Sequence, residues 1–430
     1  MRRKAVRLSG RSRPDAALVP CLLGVICANA VTPGAQAQDM AGSDTAISVQ
    51  KRARPELDPV PIRFGGFETL ASIDSRLAYD DNIYATRGAR VDDALASLSA
   101  AVSARSTWTR HAFSLDVDAA LTRGLSQDDE DTETYGARLG GRLDLGAQSR
   151  VSARAGYARA YEPRGSIGDT TLRGPRIAYD TLDLGIEAQH TAGRLTVEAQ
   201  AGLDSYRYAP YRVADTRIAR SDRDYRSWNA SLSAGYAFVP GVAAFAEGSY
   251  NAARYPGDTS GLDRSSQGWA LQGGLAFGVT RLIRGRAAIG YQDQRYDDPA
   301  FPRIKGLDFN AGIEWSPTRL MTWTLEARRT IQRSPLAGVA GIRQSRFGAR
   351  LDYEVRRNLI VWARADHTVG EYSGTERSQK DLAGGLGADW LLGRKLRISA
   401  QAGAQRTRSD DPGGRAFDRR RISVAVRYAL

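Results

Sequence analysis

The residues able to do chemistry in this chain of 430 are few and scattered. There are three histidines, His111, His190 and His367. Nucleophilic hydrolysis needs a histidine beside a serine or thiol and oriented by an acid. None of the three has a cluster of such companions, so catalysis is not expected. Both cysteines, Cys21 and Cys27, fall near the start of the chain, which removes disulfide frameworks and thiolate zinc sites. Asp128, Asp129, Glu130 and Asp131 offer the oxygen donors that a divalent cation takes, but a solvated acidic loop has the same composition. No metal and no cofactor is expected. What remains is charge at regular spacing, and charge needs elements to position it.

The start of the chain has the pattern of an export signal. Arg2, Arg3, Lys4, Arg7, Arg11 and Arg13 precede an apolar run over residues 16–31, and Ala35-Gln36-Ala37 supplies small residues for cleavage. Residues 1–37 read as a signal peptide. A retained anchor is disfavoured by Pro20 and Asn29, and a lipid site by the large residues before both cysteines. The segment holds six basic residues and one acid, so +13 − 5 leaves +8 on the exported part. A mean hydropathy of −0.41 excludes a multi-span helical membrane protein. Residues 38–66, polar and punctuated by Pro55, Pro59 and Pro61, read as a periplasmic lead-in.

From Phe67 to Leu430 the period is two. Trp269, Leu271, Gly273, Leu275, Phe277 and Val279 alternate with smaller or polar residues, as do Leu307, Phe309, Ala311, Ile313 and Trp315, and Phe347, Ala349, Leu351, Tyr353 and Val355. Only a strand turns such alternation into one apolar and one polar face. Short connections are expected at 109–111, 146–149, 191–194, 239–242, 280–283, 316–319, 356–358 and 392–395. Nine longer ones, rich in Gly, Asp, Arg and Pro, fall between them: 80–92, 127–133, 163–178, 208–223, 256–266, 297–305, 332–341, 370–379 and 408–418. Nine long loops and eight short turns imply an all-β chain of about 18 strands, with 16 the competing count. A sandwich or a propeller would contain fully apolar central strands. Strands two-faced throughout, with alternating loop lengths, predict a transmembrane antiparallel up-and-down β-barrel with both ends in the periplasm.

Trp228, Tyr236, Trp269, Trp315, Trp323, Tyr353 and Trp390 share the apolar parity and suit membrane–water interfaces. Arg110, Arg194, Arg281, Arg319, Arg356, Arg357, Arg394 and Lys395 crowd the short turns, which suits anionic head groups of the inner leaflet, and Arg in turns and loops can also hold lipopolysaccharide phosphates. On the opposite parity, Asp183, Glu187, Glu198, Asp204, Glu247, Asp308 and Glu314 are expected to line a pore against Arg286 alone. The other strands point Arg76, Arg138, Arg142, Arg154, Arg328, Arg346, Arg350, Arg397 and Arg427 inward. Two readings stay open: a field across the lumen, or local cross-strand pairing that cancels it.

The stretch Arg54-Pro55-Glu56-Leu57-Asp58-Pro59-Val60-Pro61-Ile62-Arg63-Phe64-Gly65-Gly66-Phe67, with Tyr79-Asp80-Asp81-Asn82-Ile83-Tyr84 closing the first strand, resembles the start of the Putative beta-barrel porin 2 family of Gram-negative outer-membrane proteins. The final strand, Ile422 to Leu430, is similar to the terminal signal that such barrels present to the barrel assembly machinery, although it ends in Leu rather than Phe or Trp. The resemblance implies an outer-membrane channel, often for exopolysaccharide export, with a periplasmic export partner and no catalytic residues. A general or solute-specific diffusion porin is the alternative, and a plugged structural barrel a weaker third. Nucleic acid is not an expected partner of an exported barrel. The mature chain should begin at Gln38: mass spectrometry of outer-membrane fractions should find that start, with neither residues 1–37 nor a lipid on Cys27.

Overall fold

The computed structural model describes residues 47–430 apart from 170, 172, 214–215, 257–261, 281, 335, 337, 340 and 411–414. The expected signal peptide and Arg281 lie outside the described residues. Eighteen long strands follow one another round a ring. They are β1 (Phe67–Asp80), β2 (Asp93–Ser106), β3 (Ala112–Gly124), β4 (Thr132–Asp144), β5 (Ser149–Tyr161), β6 (Ala178–Ala192), β7 (Leu195–Tyr208), β8 (Tyr225–Val239) and β9 (Val242–Arg254). The second half runs β10 (Ser266–Thr280), β11 (Ile283–Tyr296), β12 (Ile304–Thr318), β13 (Met321–Arg333), β14 (Gly341–Arg356), β15 (Leu359–Tyr372), β16 (Ser378–Leu391), β17 (Leu396–Ser409) and β18 (Phe417–Ala429). Every neighbour pair is antiparallel. The ring closes where β1 meets β18, from Ser72 opposite Ala429 to Asp80 opposite Arg421.

Closure is what hydrocarbon demands, because an open edge would leave backbone donors and acceptors without water. β18 ends before it can cover the first residues of β1. A short strand, Ile62–Phe64, folds back to pair with Phe67–Thr69 and continues the ladder there. Loop lengths alternate as the sequence predicts. The two-residue turns use Gly193 and Gly241 at φ +61° and +84°, the left-handed geometry that tight hairpins require. One turn falls later than expected, at residues 319–320. The ladder slips between Trp315 and Thr318, and this irregularity accommodates Pro317, which lacks an N–H to donate, inside the strand.

The two faces separate cleanly. Leu275, Ile289, Leu386 and Ile422 are more than half exposed on the outside, where lipid replaces water. Outward aromatics form two belts. Trp228, Tyr250, Trp269 and Tyr291 lie toward the long loops, and Tyr236, Trp315, Trp323, Tyr353 and Trp390 toward the short turns. Arg at Leu275 or Leu351 should therefore cost roughly 2–4 kcal/mol if the site lies near the midplane. Arg at Gln272 or Gly348, on the inner face, should cost far less. Folding titrations of the four variants check this, and equal penalties would put the register in error.

Candidate functional site

The inner face is obstructed at both ends by the chain itself. At the long-loop end, the described residues between 162 and 177 leave β5 and cross the lumen. Ile167 packs with Val339 in the β13–β14 loop, Ile342 on β14 and Tyr372 on β15, about half-way round the ring. Side chains on several walls hold this loop. Arg164 donates to Glu130 at 2.6 Å and to Thr171 at 2.8 Å, with its guanidinium also over the Tyr84 ring. Arg415 donates to Asp169 at 2.9 Å. Arg223 and Tyr208 both donate to Glu162, at 3.0 and 3.1 Å. Burial pushes the Glu162 and Glu130 carboxyls above the usual carboxylate range despite these arginines. Gly165, at φ +77°, lies so close to the Phe417 ring that a Cβ would overlap it.

At the short-turn end, the described part of the lead-in folds into the mouth. Val49, fully buried, joins Ile360, Leu391 and Leu57 in a small apolar cluster on the inner wall. Its N–H donates to Thr322 at 3.1 Å, and Gln50 donates to Asp352 at 2.9 Å. Arg54 reaches Glu354 at 2.7 Å with both side chains buried, and Arg52 joins the same carboxylate at 3.2 Å. Losing one partner of such a pair costs about 3–5 kcal/mol, because a buried charge is left alone.

Between these obstructions lies a cavity of about 740 Å³, lined by Asp204, Glu247, Asp308, Glu314, Arg286 and several tyrosines. Inside the long-loop end, Tyr179, Tyr206, Tyr208, Tyr225 and Tyr255 form a ladder. Tyr206 and Tyr225 stack at 4.6 Å, and the 179–208 and 225–255 pairs sit at 5.4 Å. Arg223, Arg333 and Arg264 lie over Tyr208, Tyr225 and Tyr255. The ring faces are thus largely taken by one another and by guanidinium groups. The ladder anchors loops to the wall.

One seam of the ring is incomplete. β12 and β13 pair from Thr318 and Met321 up to Asn310 and Arg328, and there the ladder stops. Ile304–Phe309 of β12 then pair only with β11, and Arg329–Arg333 of β13 only with β14. Above the break the β13–β14 hairpin turns toward the lumen. Arg333 covers Tyr225 on the β8 wall, Arg264 donates to the Ser334 carbonyl, and Ile342 meets Ile167.

The inward acids expected from the sequence lie on the face opposite the exposed leucines, but they are largely paired. Glu247 accepts from Arg286 at 2.8 Å, Asp183 from Arg154 at 3.1 Å and Asp308 from Gln272 at 2.6 Å. Glu314 accepts from Arg284 Nε at 2.8 Å. Arg286 is therefore not the lone cation of this arc. Arg284 has the same parity on β11, and the sequence reading overlooked it. Asp204 faces Ser227 and Asn229, Glu198 accepts from Gln200, and Glu187 stands opposite Gln200 in the register. On the other arc, Arg346 pairs with Asp366, Arg350 with Asp352 and Arg427 with Asp74, while Arg397 stands beside Arg427 in the register. These contacts are the local pairing that the second of the two readings describes. Sequence reasoning also missed the tyrosine ladder, although parity alone marks it: Tyr206 and Tyr208 continue the inward series Glu198, Gln200, Gly202 and Asp204. His111 and Ser149–His190 bond only near short turns.

With this architecture in hand, comparison with known proteins is decisive for the family. The sequence signature of the family described as Putative beta-barrel porin 2 matches residues 54–430. The chain belongs to that family. It is a porin-type outer-membrane β-barrel, and the fold and family are those of transport barrels. No curated protein sequence matches this porin. Among solved structures it is similar to OpdL of Pseudomonas aeruginosa, at 14% identity over 85% of this chain and 99% of that one, with a TM-score of 0.43. The siderophore receptor PiuA of Acinetobacter baumannii gives 10% identity, 86% and 82% coverage and a TM-score of 0.47. OpdK of Pseudomonas aeruginosa with vanillate gives 12%, 84%, 99% and 0.44.

Replacing Glu198, Glu247 and Glu314 together by Gln removes three carboxylates, two of which accept from Arg284 and Arg286. The reversal potential should then shift toward anion preference at low salt. The shift should shrink near 1 M salt, where the screening length falls to about 3 Å. An unchanged potential at low salt would place these groups outside the conducting path.

Proposed function

We propose that this porin is a gated outer-membrane channel for a polar, hydroxyl-rich solute, with its short turns and both chain ends on the periplasmic side. The observation that carries the reading is the interrupted seam between β12 and β13. Unpaired ladder in lipid is costly, so the freed hairpin has a competing position: re-paired with β12. Extending the register outward sets Phe309 opposite Arg329 and Lys305 opposite Arg333. That movement would draw Arg333 off Tyr225 and Ile342 off Ile167, and open the roof of the cavity.

The cargo class follows from the wall, which offers hydroxyl, amide and ion-paired groups, and from the family resemblance to saccharide exporters. Passage of a small saccharide needs only the roof to move. Export of a polymer, the form the resemblance favours, also needs residues 47–61 to leave the opposite mouth, which is the natural task of a periplasmic export partner. The last strand, β18, would carry the signal for the barrel assembly machinery.

Planar-bilayer recordings test this. The wild type should show a small conductance that falls further when oligosaccharide is added. Cysteines at Ile167 and Ile342, joined by a short bis-maleimide, should hold the roof closed and abolish most of the remaining current. A large conductance, indifferent to saccharide and to the cross-link, would mean an open diffusion porin. Orientation is read separately: a membrane-impermeant maleimide on intact cells should label Asp128→Cys and spare Ala147→Cys.

A further inference from the structure

On the outer face, just beyond the aromatic belt at the long-loop end, the strand ends β8 to β12 present an arc of exposed cations. Arg226 stands above Trp228, Arg254 above Tyr250, Arg295 above Tyr291 and Lys305 above Leu307, all on the lipid-facing parity. Two features set this arc apart from a solvated charge run. Arg226 is directly opposite Arg254 in the ladder, and facing like charges on one sheet face repel. The carboxylates within reach are also already engaged. Asp297 accepts from Arg254 at 2.6 Å, and Asp293 is held by Arg303, with Arg295 at 4.0 Å. Among the described residues neither Arg226 nor Lys305 has an ion pair. Elsewhere on the same rim Arg123 pairs with Glu133 and Asp131, and Arg343 with Glu371, while Arg207, Lys380 and Arg420 have no ion pair among the described residues but stand singly on β7, β16 and β18.

We propose that this arc binds the phosphate groups of a phosphorylated glycolipid whose acyl chains lie against the aromatic belt below. The geometry suits that class of ligand on three counts. Guanidinium pairs take phosphate oxygens in forked, charge-assisted hydrogen bonds. A bridging dianion converts the Arg226–Arg254 repulsion into attraction. The row beneath, Trp228, Tyr250, Trp269 and Tyr291, sits at the depth where head groups give way to hydrocarbon. A soluble phosphate would gain the first two contacts and forgo the third, so the site is committed to a lipid. The inference goes beyond the channel reading and uses only its orientation, which places the arc in the outer leaflet.

The test is binding of bis-phosphorylated lipid A to the full-length mature barrel in neutral detergent, followed by native mass spectrometry. Dephosphorylated lipid A and inorganic phosphate serve as comparison probes. Wild type should retain the phosphorylated lipid and neither comparison probe. Each unpaired cation removed should weaken retention roughly fivefold, so R226Q with K305Q should lose about twenty-fivefold. R123Q, on the matched part of the rim, should leave retention unchanged. Equal retention of dephosphorylated lipid, equal loss in R123Q, or no loss in the R226Q/K305Q variant would overturn the proposal. Because the assay needs no conduction and no bilayer, failure of the gated-channel reading would leave its result intact.

Discussion

A backbone N–H or C=O in hydrocarbon has no water to turn to, and this one constraint organises the molecule. It forces the chain to close on itself. It explains why a three-residue strand, Ile62–Phe64, is spent on covering the part of β1 that β18 does not reach. It also gives the β12–β13 seam its meaning, because an incomplete ladder is tolerated only where the freed backbone faces protein or a water-filled space. There the hairpin leans into the lumen and helps to roof the cavity. The first strand's closing motif belongs to the same logic. Asp80, fully buried, accepts from Arg419 and Arg421 across the closing seam, while Asn82 bonds the Asp418 carbonyl and the backbone of Thr86. Asp80 closes the ring, and the turn at residues 81–84 follows it directly at the rim.

Side-chain charge plays a second, quite different part. Outside, it marks the edges of the apolar band. Inside, much of it is paired locally, along one strand as in Arg350–Asp352, between neighbours as in Arg284–Glu314, or across one strand as in Arg286–Glu247. The inserted segments use the same chemistry at greater depth. Arg164 and Arg54 are almost wholly buried, each bound to a buried carboxylate, Glu130 and Glu354. Such pairs fix position more than they add stability, since the desolvation of both charges offsets much of their attraction.

Much of the barrel was legible in the sequence, because a two-faced strand in a membrane obeys a strict period of two. Parity assigned Leu275 outward and Glu247 inward, and alternating loop lengths gave eighteen strands. The obstruction of the lumen was not legible. Ile167 meeting Ile342, or Gln50 meeting Asp352, joins residues far apart in the chain with no periodic signature. A long loop has the same composition whether it stands in solvent or folds inward. The overlooked Arg284 is a different kind of miss. Its parity was readable, and it lay too close to a turn to be counted as part of the wall.

The segment lodged in the short-turn mouth also dictates an order of events during biogenesis. Val49, Gln50 and Arg54 find their partners 273, 302 and 300 residues later, on β13 and β14. Their docking site does not exist until most of the barrel has been laid down, and the entropy of closing so long a loop is recovered only then. This segment, which precedes every strand of the barrel in the chain, is therefore among the last to reach its place. Until it does, the short-turn mouth of the nascent barrel stands open, and the finished one has acquired a stopper made from the segment that precedes its first strand.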